Sequence, residues 1–349
     1  MTPADPATTD RTDKHAWERP GAVAVVPGVF RIPLPLPEDG LRAVNVYAVV
    51  DGDDVVLVDS GWALEQSEAQ LERSLGDIGH DLASISRFLI THVHRDHYTQ
   101  AITLRRRFGS RVHLGRGEQP NVDCLLQGAE QLPQGLVTRL LIAGADALLA
   151  ALDRAPATDE VDLSIWGTPD EWLCSGMTIS VGPRRLAVIE TPGHTRGHVV
   201  FHDAEARLLF AGDHVLPHIT PSIGFESRPS ESPLTDYLDS LRLVGAMADS
   251  VLLPAHGPTL PSTRARVDEL LAHHDQRLRD TEAAVRAGRE TAYDVARALK
   301  WTSRHRDFTD LDHFNQLIAV SETLAHLDVL VELDRLTVRT EDRIRYYRT

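Results

Sequence analysis

Four side chains of the kinds that bind divalent cations lie within six positions of the sequence. They are His92, His94, Asp96 and His97, and they follow the apolar, strand-like run at residues 88–90. Side chains alternate between the two faces of extended backbone, so His92 and His94 should point to one side. Imidazole and carboxylate groups are what a small, borderline-soft divalent cation binds. The spacing therefore predicts a metal site more strongly than a polar loop that only caps a helix.

The same arrangement, an apolar strand followed by histidine or aspartate beside glycine, recurs later in the chain. The later copies end at His194, Asp213 and His256. Ligands supplied repeatedly at strand ends are how an α/β scaffold builds a site. Asp59 also follows a predicted strand, at residues 55–58, and from this segment alone it either faces a site or caps the next helix.

Strands and helices alternate around these residues. Strands are predicted at residues 22–26, 29–34, 44–50, 55–58, 88–90, 111–114, 177–181, 185–190, 199–202, 208–211 and 251–253. Helices are predicted at residues 62–78, 98–108, 136–152 and 233–247. This order indicates an α/β layered unit. A helical insertion at residues 116–160 either covers the pocket as a lid or lies on the surface.

Composition limits the functions that the chain can have. Its 349 residues suffice for two domains, and a net charge of −15 disfavours a sequence-independent grip on nucleic acid. With only two cysteines, any metal must be bound by histidine and aspartate. No run approaches the roughly 18 apolar residues of a membrane helix, and no signal peptide is visible, so a cytoplasmic protein is expected. Residues 1–20, rich in Thr, Asp and Pro, are predicted to be a disordered tail.

Taken together, the motifs resemble those of the metallo-β-lactamase superfamily. They occur in that family's order within residues 22–260: His-x-His-x-Asp-His at 92–97, Gly-His-Thr-x-Gly-His at 193–198, Gly-Asp at 212–213 and Ala-His-Gly at 255–257. The resemblance implies a four-layer αββα fold for a catalytic domain at residues 21–260. The chain departs from many relatives at Tyr98-Thr99-Gln100, where a small, glycine-containing stretch is common.

The resemblance also assigns roles to individual residues. One metal ion would be bound by His92, His94 and His194. The second would be bound by Asp96, His97 and His256. Asp213 would bridge the two ions. Asp59 would orient a histidine ligand without binding metal itself. His198 would lie next to the ligands or pack in the protein.

The number of ligands favours two cations independently. Five histidines and two aspartates exceed what one zinc ion can use. Two bridged cations would lower the pKa of a shared water to roughly 7, and the resulting hydroxide could attack a carbonyl or phosphorus centre. Asp96 and Asp213 are the predicted catalytic carboxylates, which orient this nucleophile and move its proton. Zinc is the expected metal, although iron and manganese also suit these ligands.

Several other side chains near the motifs have two interpretations. His214, His218 and Tyr98 could contact substrate or only pack in the protein. Trp166 and Trp172 are expected to fill the core rather than line a pocket.

The last part of the chain, residues 261–349, predicts a connector helix with few core-facing residues in its second half, two more helices and a hairpin. That order is similar to the winged-helix domain of one branch of the superfamily, which includes an endoribonuclease. The hairpin contains a weak basic patch, formed by Arg335, Arg339, Arg343, Arg345 and Arg348. Because the chain as a whole is acidic, we expect this domain to form a homodimer or to close the pocket rather than to bind nucleic acid.

We therefore expect a dinuclear metal-dependent hydrolase of a small acyl substrate, namely an ester, lactone or thioester. One alternative is an endoribonuclease that uses the same metals. Another is a persulfide dioxygenase with mononuclear iron, which would leave Asp96, His97 and His256 without a metal. A non-enzymatic metal-binding module would lack an open water position.

Overall fold

Two β-sheets form the centre of the molecule. The computed structural model describes residues 15–37, 40–128, 134–154, 162–302 and 304–349. Among these residues, the first sheet has seven strands in chain order. They are β1 (Val23–Val26), β2 (Val29–Pro35), β3 (Ala43–Asp51), β4 (Asp54–Val58), β5 (Ile85–Ile90), β6 (Arg111–Gly115) and β7 (Glu171–Leu173). Strands β1 to β4 pair antiparallel and strands β4 to β7 pair parallel.

The described part of the chain forms a second sheet of five strands. They are β8 (Thr178–Val181), β9 (Arg184–Glu190), β10 (Val199–Asp203), β11 (Leu208–Gly212) and β12 (Val251–Pro254). Their order is β12-β11-β10-β9-β8, and only β11 and β12 pair parallel. Strands β9, β11 and β12 therefore run in one direction and end at one edge.

The two sheets pack face to face through a shared apolar layer. Val56 and Leu89 of the first sheet and Phe201 and Phe210 of the second belong to this layer and are buried. Tyr47 packs edge-on against Phe210, with 5.5 Å between ring centroids. Burial on both faces explains why these strands read as continuous apolar runs instead of alternating patterns.

Helices cover the outer face of each sheet. Helices α1 (Glu65–Gly76) and α2 (Arg95–Phe108) bury side chains such as Leu71 and Ile102 against the first sheet. Helices α6 (Pro233–Ala246) and α7 (Thr263–Arg286) cover the second sheet. The predicted four-layer αββα arrangement is thus confirmed.

The helix predicted at residues 136–152 is interrupted. The described residues form α3 (Gln119–Gln127), α4 (Gln134–Ile142) and α5 (Asp146–Leu152). Gly144 has φ of +76°, a left-handed conformation that ends α4 and that glycine adopts without strain. Both α4 and α5 pack against α9 (His313–Glu332). Residues 129–133 and 155–161 of this region lie outside the described residues.

The C-terminal region shares one apolar core with the helices on the second sheet. It contains α7, α8 (Ala292–Ala298), α9 and the hairpin of β13 (Thr337–Glu341) and β14 (Ile344–Arg348). The prediction that the second half of α7 has few core-facing residues is wrong, because Leu278 and Val285 are buried. Val285 joins the same cluster as Leu241 of α6 and Leu324 of α9. The winged-helix assignment and the boundary at residue 260 stay predictions.

Three smaller differences from the sequence-based predictions concern an unpredicted turn, the start of a helix and an unpredicted strand. Residues 16–18, assigned to a disordered tail, form a 3-10 turn, and the carbonyl of Trp17 accepts a hydrogen bond from Arg31 at 2.5 Å. Residues 1–14 lie outside the described residues. Helix α2 begins at Arg95 instead of residue 98. Strand β7, which the sequence analysis did not predict, adds Trp172 to the edge of the first sheet.

None of the helices in the described ranges combines the length and the apolar composition that crossing a membrane requires.

Candidate metal centre

The candidate ligands come from strand ends that meet at one edge of the two sheets. His92 follows β5, Asp213 follows β11 and His256 follows β12. The backbone hydrogen bond from Val199 N to Thr91 O, 2.8 Å long, joins the edges of the two sheets. The parallel pair β11 and β12 brings Asp213 and His256 together. The packing of the two sheets brings His92, at the end of β5, to the same edge.

The first group of ligating atoms consists of three histidine nitrogens. Nδ1 of His94 lies 3.0 Å from Nε2 of His92 and 3.1 Å from Nε2 of His194. All three atoms lie within 4.8 Å of one another. Such a convergence of imidazole nitrogens fits a divalent transition-metal ion.

The second group contains a carboxylate and two histidines. Oδ2 of Asp96 lies 3.5 Å from Nε2 of His97 and 3.5 Å from Nε2 of His256. Asp96 and His97 lie in the first turn of α2, which begins immediately after His94. Because the helix begins at Arg95, both of these side chains point into the cluster and reach His256.

Asp213 lies between the two groups and faces both. Its Oδ2 is 3.5 Å from Nε2 of His194, while its Oδ1 is 3.3 Å from Nε2 of His256 and 3.7 Å from Nε2 of His97. The backbone before it needs glycine, because Gly212 has φ of +51° and a Cβ there would lie 2.6 Å from Oγ1 of Thr91. The seven predicted ligands thus form one continuous cluster.

Each of the five histidines has a partner for its other ring nitrogen. Three of them face backbone carbonyls: His94 Nε2 faces Phe225, His194 Nδ1 faces Ser222 and His256 Nδ1 faces Ala43, at 2.9, 2.7 and 2.8 Å. A carbonyl can only accept, so the facing nitrogen must carry the hydrogen. The remaining nitrogen then presents a lone pair to the cluster, as metal ligation requires.

Asp59 and Thr91 are the hydrogen-bond partners of the other two histidines, His97 and His92. Oδ2 of Asp59 accepts a hydrogen bond from Nδ1 of His97 at 2.9 Å. Its Oδ1 accepts hydrogen bonds from the backbone N–H and the hydroxyl of Thr91 at 2.8 and 2.9 Å. The Thr91 hydroxyl in turn lies 3.1 Å from Nδ1 of His92. Asp59 therefore supports both groups, and its φ of +60° is uncommon for a non-glycine residue.

Three buried atoms at the centre of the cluster lack ordinary partners. Nε2 of His97, Nε2 of His256 and Oδ1 of Asp213 have no hydrogen-bond partner among the described residues. Buried polar atoms are rarely left unpaired, because each loses the hydration it had in water. A cation bound between them would satisfy all three, so these residues fit a divalent metal.

The protonation equilibria of the cluster follow from its charges. Burial lowers the pKa of His97, but the carboxylates of Asp96, Asp59 and Asp213 outweigh burial and raise it to about 10. Burial and the nearby His94 lower the pKa of His194 to about 4. Three carboxylates around His97 thus favour a positive charge at this position, which a bound cation would supply in place of a proton.

His198 lies behind the cluster without joining either group. Its Nδ1 is 2.9 Å from the hydroxyl of Thr191, and its Nε2 accepts a hydrogen bond from the backbone N–H of Asp213 at 3.2 Å. The ring also stacks on His92, with 5.1 Å between centroids. These contacts hold the backbone of Asp213 in place.

The structure shows where the side chains lie that could either contact substrate or only pack in the protein. Tyr98, in the first turn of α2, is fully buried and its hydroxyl donates to the carbonyl of Gly167 at 2.6 Å, so it packs inside the protein. Trp166 and Trp172 are partly buried against the apolar core between the first sheet and helices α1 and α2, as expected. His214 is buried beside Tyr237, whereas His218 is exposed.

One aromatic wall beside the first group was not predicted from the sequence. The ring of Phe225 lies 6.3 Å from the ring of His94, and the ring of Phe314, from α9, lies 5.4 Å from Phe225. Phe314 is 52% exposed. No spacing rule connects residues 94, 225 and 314, so only the folded chain reveals this wall.

Comparison with known proteins agrees with the geometry. Residues 39–256 match the family model of the metallo-beta-lactamase superfamily. A probable metallo-hydrolase of Bacillus subtilis, YqjP, is 24% identical over 331 residues, which cover 92% of this chain and 97% of that protein. A thioesterase of Emericella nidulans, pkgB, is 28% identical over 229 residues, covering 65% of this chain and 50% of that protein.

A solved structure is similar over nearly the whole chain. A metallo-beta-lactamase family protein from Thermus thermophilus, TTHA1429, superposes with a TM-score of 0.72 at 28% identity, covering 93% of this chain and 100% of that one. The fold of this chain is the one that its own sequence motifs predict. The chain therefore belongs to the metallo-beta-lactamase superfamily and is a metallo-hydrolase.

Proposed function

We propose that this metallo-hydrolase uses two divalent cations to hydrolyse a small acyl substrate, namely an ester, lactone or thioester. The observation that carries the proposal is the position of Asp213, whose Oδ2 faces His194 of the first group while its Oδ1 faces His97 and His256 of the second. Similarity to a protein named as a thioesterase supports the acyl class. Zinc is the expected metal, because imidazole and carboxylate ligands suit it.

Seven side chains would hold the cations. The first would be bound by His92, His94 and His194, the second by Asp96, His97 and His256, and Asp213 would contact both. When bound, such cations acidify a water molecule near neutral pH and polarise a substrate carbonyl. The partners of the outer ring nitrogens would fix each imidazole in the orientation and tautomer that this chemistry needs.

Among the three carboxylates at the site, Asp96 is the most accessible. Its side chain is 15% exposed, against 8% for Asp213 and 3% for Asp59. The oxygen of Asp96 that would not hold the cation, Oδ1, would accept a proton from the attacking water and return it to the leaving group. Asp213, which faces both groups of ligands, would orient the water.

The aromatic wall supports an acyl group with apolar character. Phe225 and Phe314 present ring surface beside His94, and more than half of Phe314 is accessible. An apolar chain lying there would remove this surface from water. Because Phe314 belongs to α9, the wall also supports the pocket-closing role that we predicted for the C-terminal region.

The basic patch of the C-terminal hairpin does not favour RNA as a substrate. Each of its arginines forms an ion pair within the chain: Arg335 with Glu282, Arg339 with Glu341, Arg343 with Asp146, Arg345 with Asp328 and Arg348 with Glu290. Affinity for nucleic acid comes largely from neutralising phosphates. Arginines that are already paired contribute less to it.

The test is an activity panel on zinc-loaded protein. Esters, lactones and acyl thioesters of increasing chain length are assayed beside a single-stranded RNA. We expect hydrolysis of at least one acyl class, abolished by chelation and restored by zinc. Cleavage of RNA alone would contradict the proposal.

A further inference from the structure

Three buried polar side chains form a cluster behind the first group of ligands. Glu118, Asn121 and Glu226 are 0%, 1% and 5% exposed. The amide Nδ2 of Asn121 donates to both carboxylates, with 3.0 Å to Oε2 of Glu118. Two acids in one buried cluster are costly unless their oxygens are well satisfied. We call these three residues the carboxylate cluster.

Burial also changes the ionisation of these acids. It raises the pKa of Glu118. Burial and the neighbouring Glu118 raise the pKa of Glu226 to about 8. The cluster therefore retains a proton near neutral pH and acts through hydrogen bonds more than through charge.

The carboxylate cluster binds the backbone on both sides of the first ligand group. Glu118 accepts hydrogen bonds from the Thr195 hydroxyl and from the backbone N–H of Val93. Glu226 accepts from the backbone N–H of Arg196, at 2.9 and 3.1 Å to its two oxygens. Val93 lies between His92 and His94, and residues 195–196 directly follow His194.

A third connection reaches the ring of His94. The carbonyl that faces Nε2 of His94 belongs to Phe225, the residue before Glu226. Asn121 fixes the same loop on the far side, because its Oδ1 accepts from the backbone N–H of Arg228 at 2.9 Å. The loop that orients His94 is thus anchored at both ends of a four-residue stretch.

The backbone of the loop that carries Glu118 packs so closely against the backbone at Gly197 that glycine is required at the contact. A Cβ on Gly197 would lie 2.0 Å from the backbone nitrogen of Glu118. A Cβ on Gly115 would lie 2.1 Å from the carbonyl oxygen of Gly197. The two loops therefore touch directly, which buries Glu118 beneath the ligands.

We propose that Glu118 and Glu226 are positioning residues that hold His92, His94 and His194 in ligating geometry through the backbone of the loops that carry them. The inference rests on the proposed metal centre but concerns only its first group. It assigns a function to a pair of acids that no motif marks.

The test uses cobalt as the probe of the metal sites. Wild type, Glu226→Ala and Glu226→Gln are titrated with cobalt in the presence of a chromophoric chelator, and the visible absorption spectrum of bound cobalt is recorded. Glu231→Ala, an exposed glutamate in the same loop, is the matched control. Thermal unfolding followed by circular dichroism shows whether each variant is folded.

We expect Glu226→Ala to weaken the first cobalt site by about 10–100-fold and to change its spectrum, as loss of a supporting partner does elsewhere. The second site should keep its affinity. Glu226→Gln should be less defective than Glu226→Ala, because the glutamine oxygen in place of Oε2 can still accept from the Arg196 N–H and from Asn121. If Glu226→Ala does not fold, Thr195→Val, which removes one donor to Glu118, should show the same loss at the first site.

An unchanged affinity and spectrum in a folded Glu226→Ala or Thr195→Val variant would overturn the inference. So would a Glu226→Gln variant as defective as Glu226→Ala. Failure of the wild type to bind any cobalt is a different result, since it would contradict the proposed metal centre itself.

Discussion

Replacement of Asp59 by asparagine should weaken the binding of one cation and leave the binding of the other unchanged. Asparagine has the same shape, and its Oδ1 can still accept from the Thr91 N–H at 2.8 Å. Its amide nitrogen, however, would replace Oδ2, which accepts from Nδ1 of His97 at 2.9 Å. Two donors would then face each other. His97 would have to move its hydrogen to Nε2, the atom that faces the cluster, and would no longer be a ligand.

The magnitude follows from the hydrogen bond that is lost. A hydrogen bond to a charged acceptor contributes about 1.5–3 kcal/mol. One tenfold change in an equilibrium constant corresponds to about 1.4 kcal/mol. The affinity of the second site should therefore fall about 10–100-fold, in the range typical of residues that support metal ligands.

Competition titration with a chromophoric chelator measures both sites in one experiment. Asp53→Asn, an exposed change in the turn between β3 and β4, is the matched control. In Asp59→Asn we expect one tight cation and one weakened cation per chain. Two cations bound with wild-type affinity would refute the role of Asp59, and loss of the first site alone would refute the assignment of His97 to the second.

Further predictions concern the bridge, the wall, the carboxylate cluster and the C-terminal region. Asp213→Ala should lose at least one cation and nearly all turnover, as measured by metal analysis and steady-state kinetics; full activity would exclude this site. Phe314→Ala should raise KM several-fold for long acyl chains with little change in kcat, because about 0.5–1.5 kcal/mol of aromatic contact is lost. Leu333→Ala, exposed at the end of the same helix, should not change KM. The pKa of Glu226, about 8 in the fold against 4.5 ordinarily, lies above its unfolded value, so its contribution to stability is complete below pH 4.5 and is lost as pH rises to 8. Relative to Glu226→Gln, the free energy of unfolding of the wild type should fall by about 1.4 kcal/mol per pH unit in that window, and a difference independent of pH would contradict this. Deletion of residues 290–349 should unfold the chain, since α9 shares its core with α6. A truncated protein that is folded by circular dichroism and binds metal by metal analysis would contradict this prediction.

The layered fold and the position of the cluster could be predicted because both depend on local patterns. Apolar runs mark the buried strands, and His, Asp and Gly mark their ends. The parallel strands β11 and β12 bring Asp213 and His256 to one edge. His92 follows a strand of the other sheet and joins them because the two sheets pack face to face.

Side chains that act across the fold could not be predicted. Glu118 and Glu226 lie in stretches without periodicity, and their burial depends on two loops packing glycine against backbone. The prediction of one continuous helix at residues 136–152 was wrong, because the left-handed conformation of Gly144 interrupts the helix despite the apolar spacing around it. The hairpin arginines looked like a basic patch because their partners, such as Asp146 and Glu282, are distant in sequence.

The central claim is that seven side chains hold two cations at one sheet edge. Anomalous diffraction from crystals of the zinc-loaded protein tests it most directly. We predict two zinc peaks about 3.5–4 Å apart, one beside His92, His94 and His194 and the other beside Asp96, His97 and His256, with Asp213 between them. A single peak, or zinc bound away from these residues, would contradict the account.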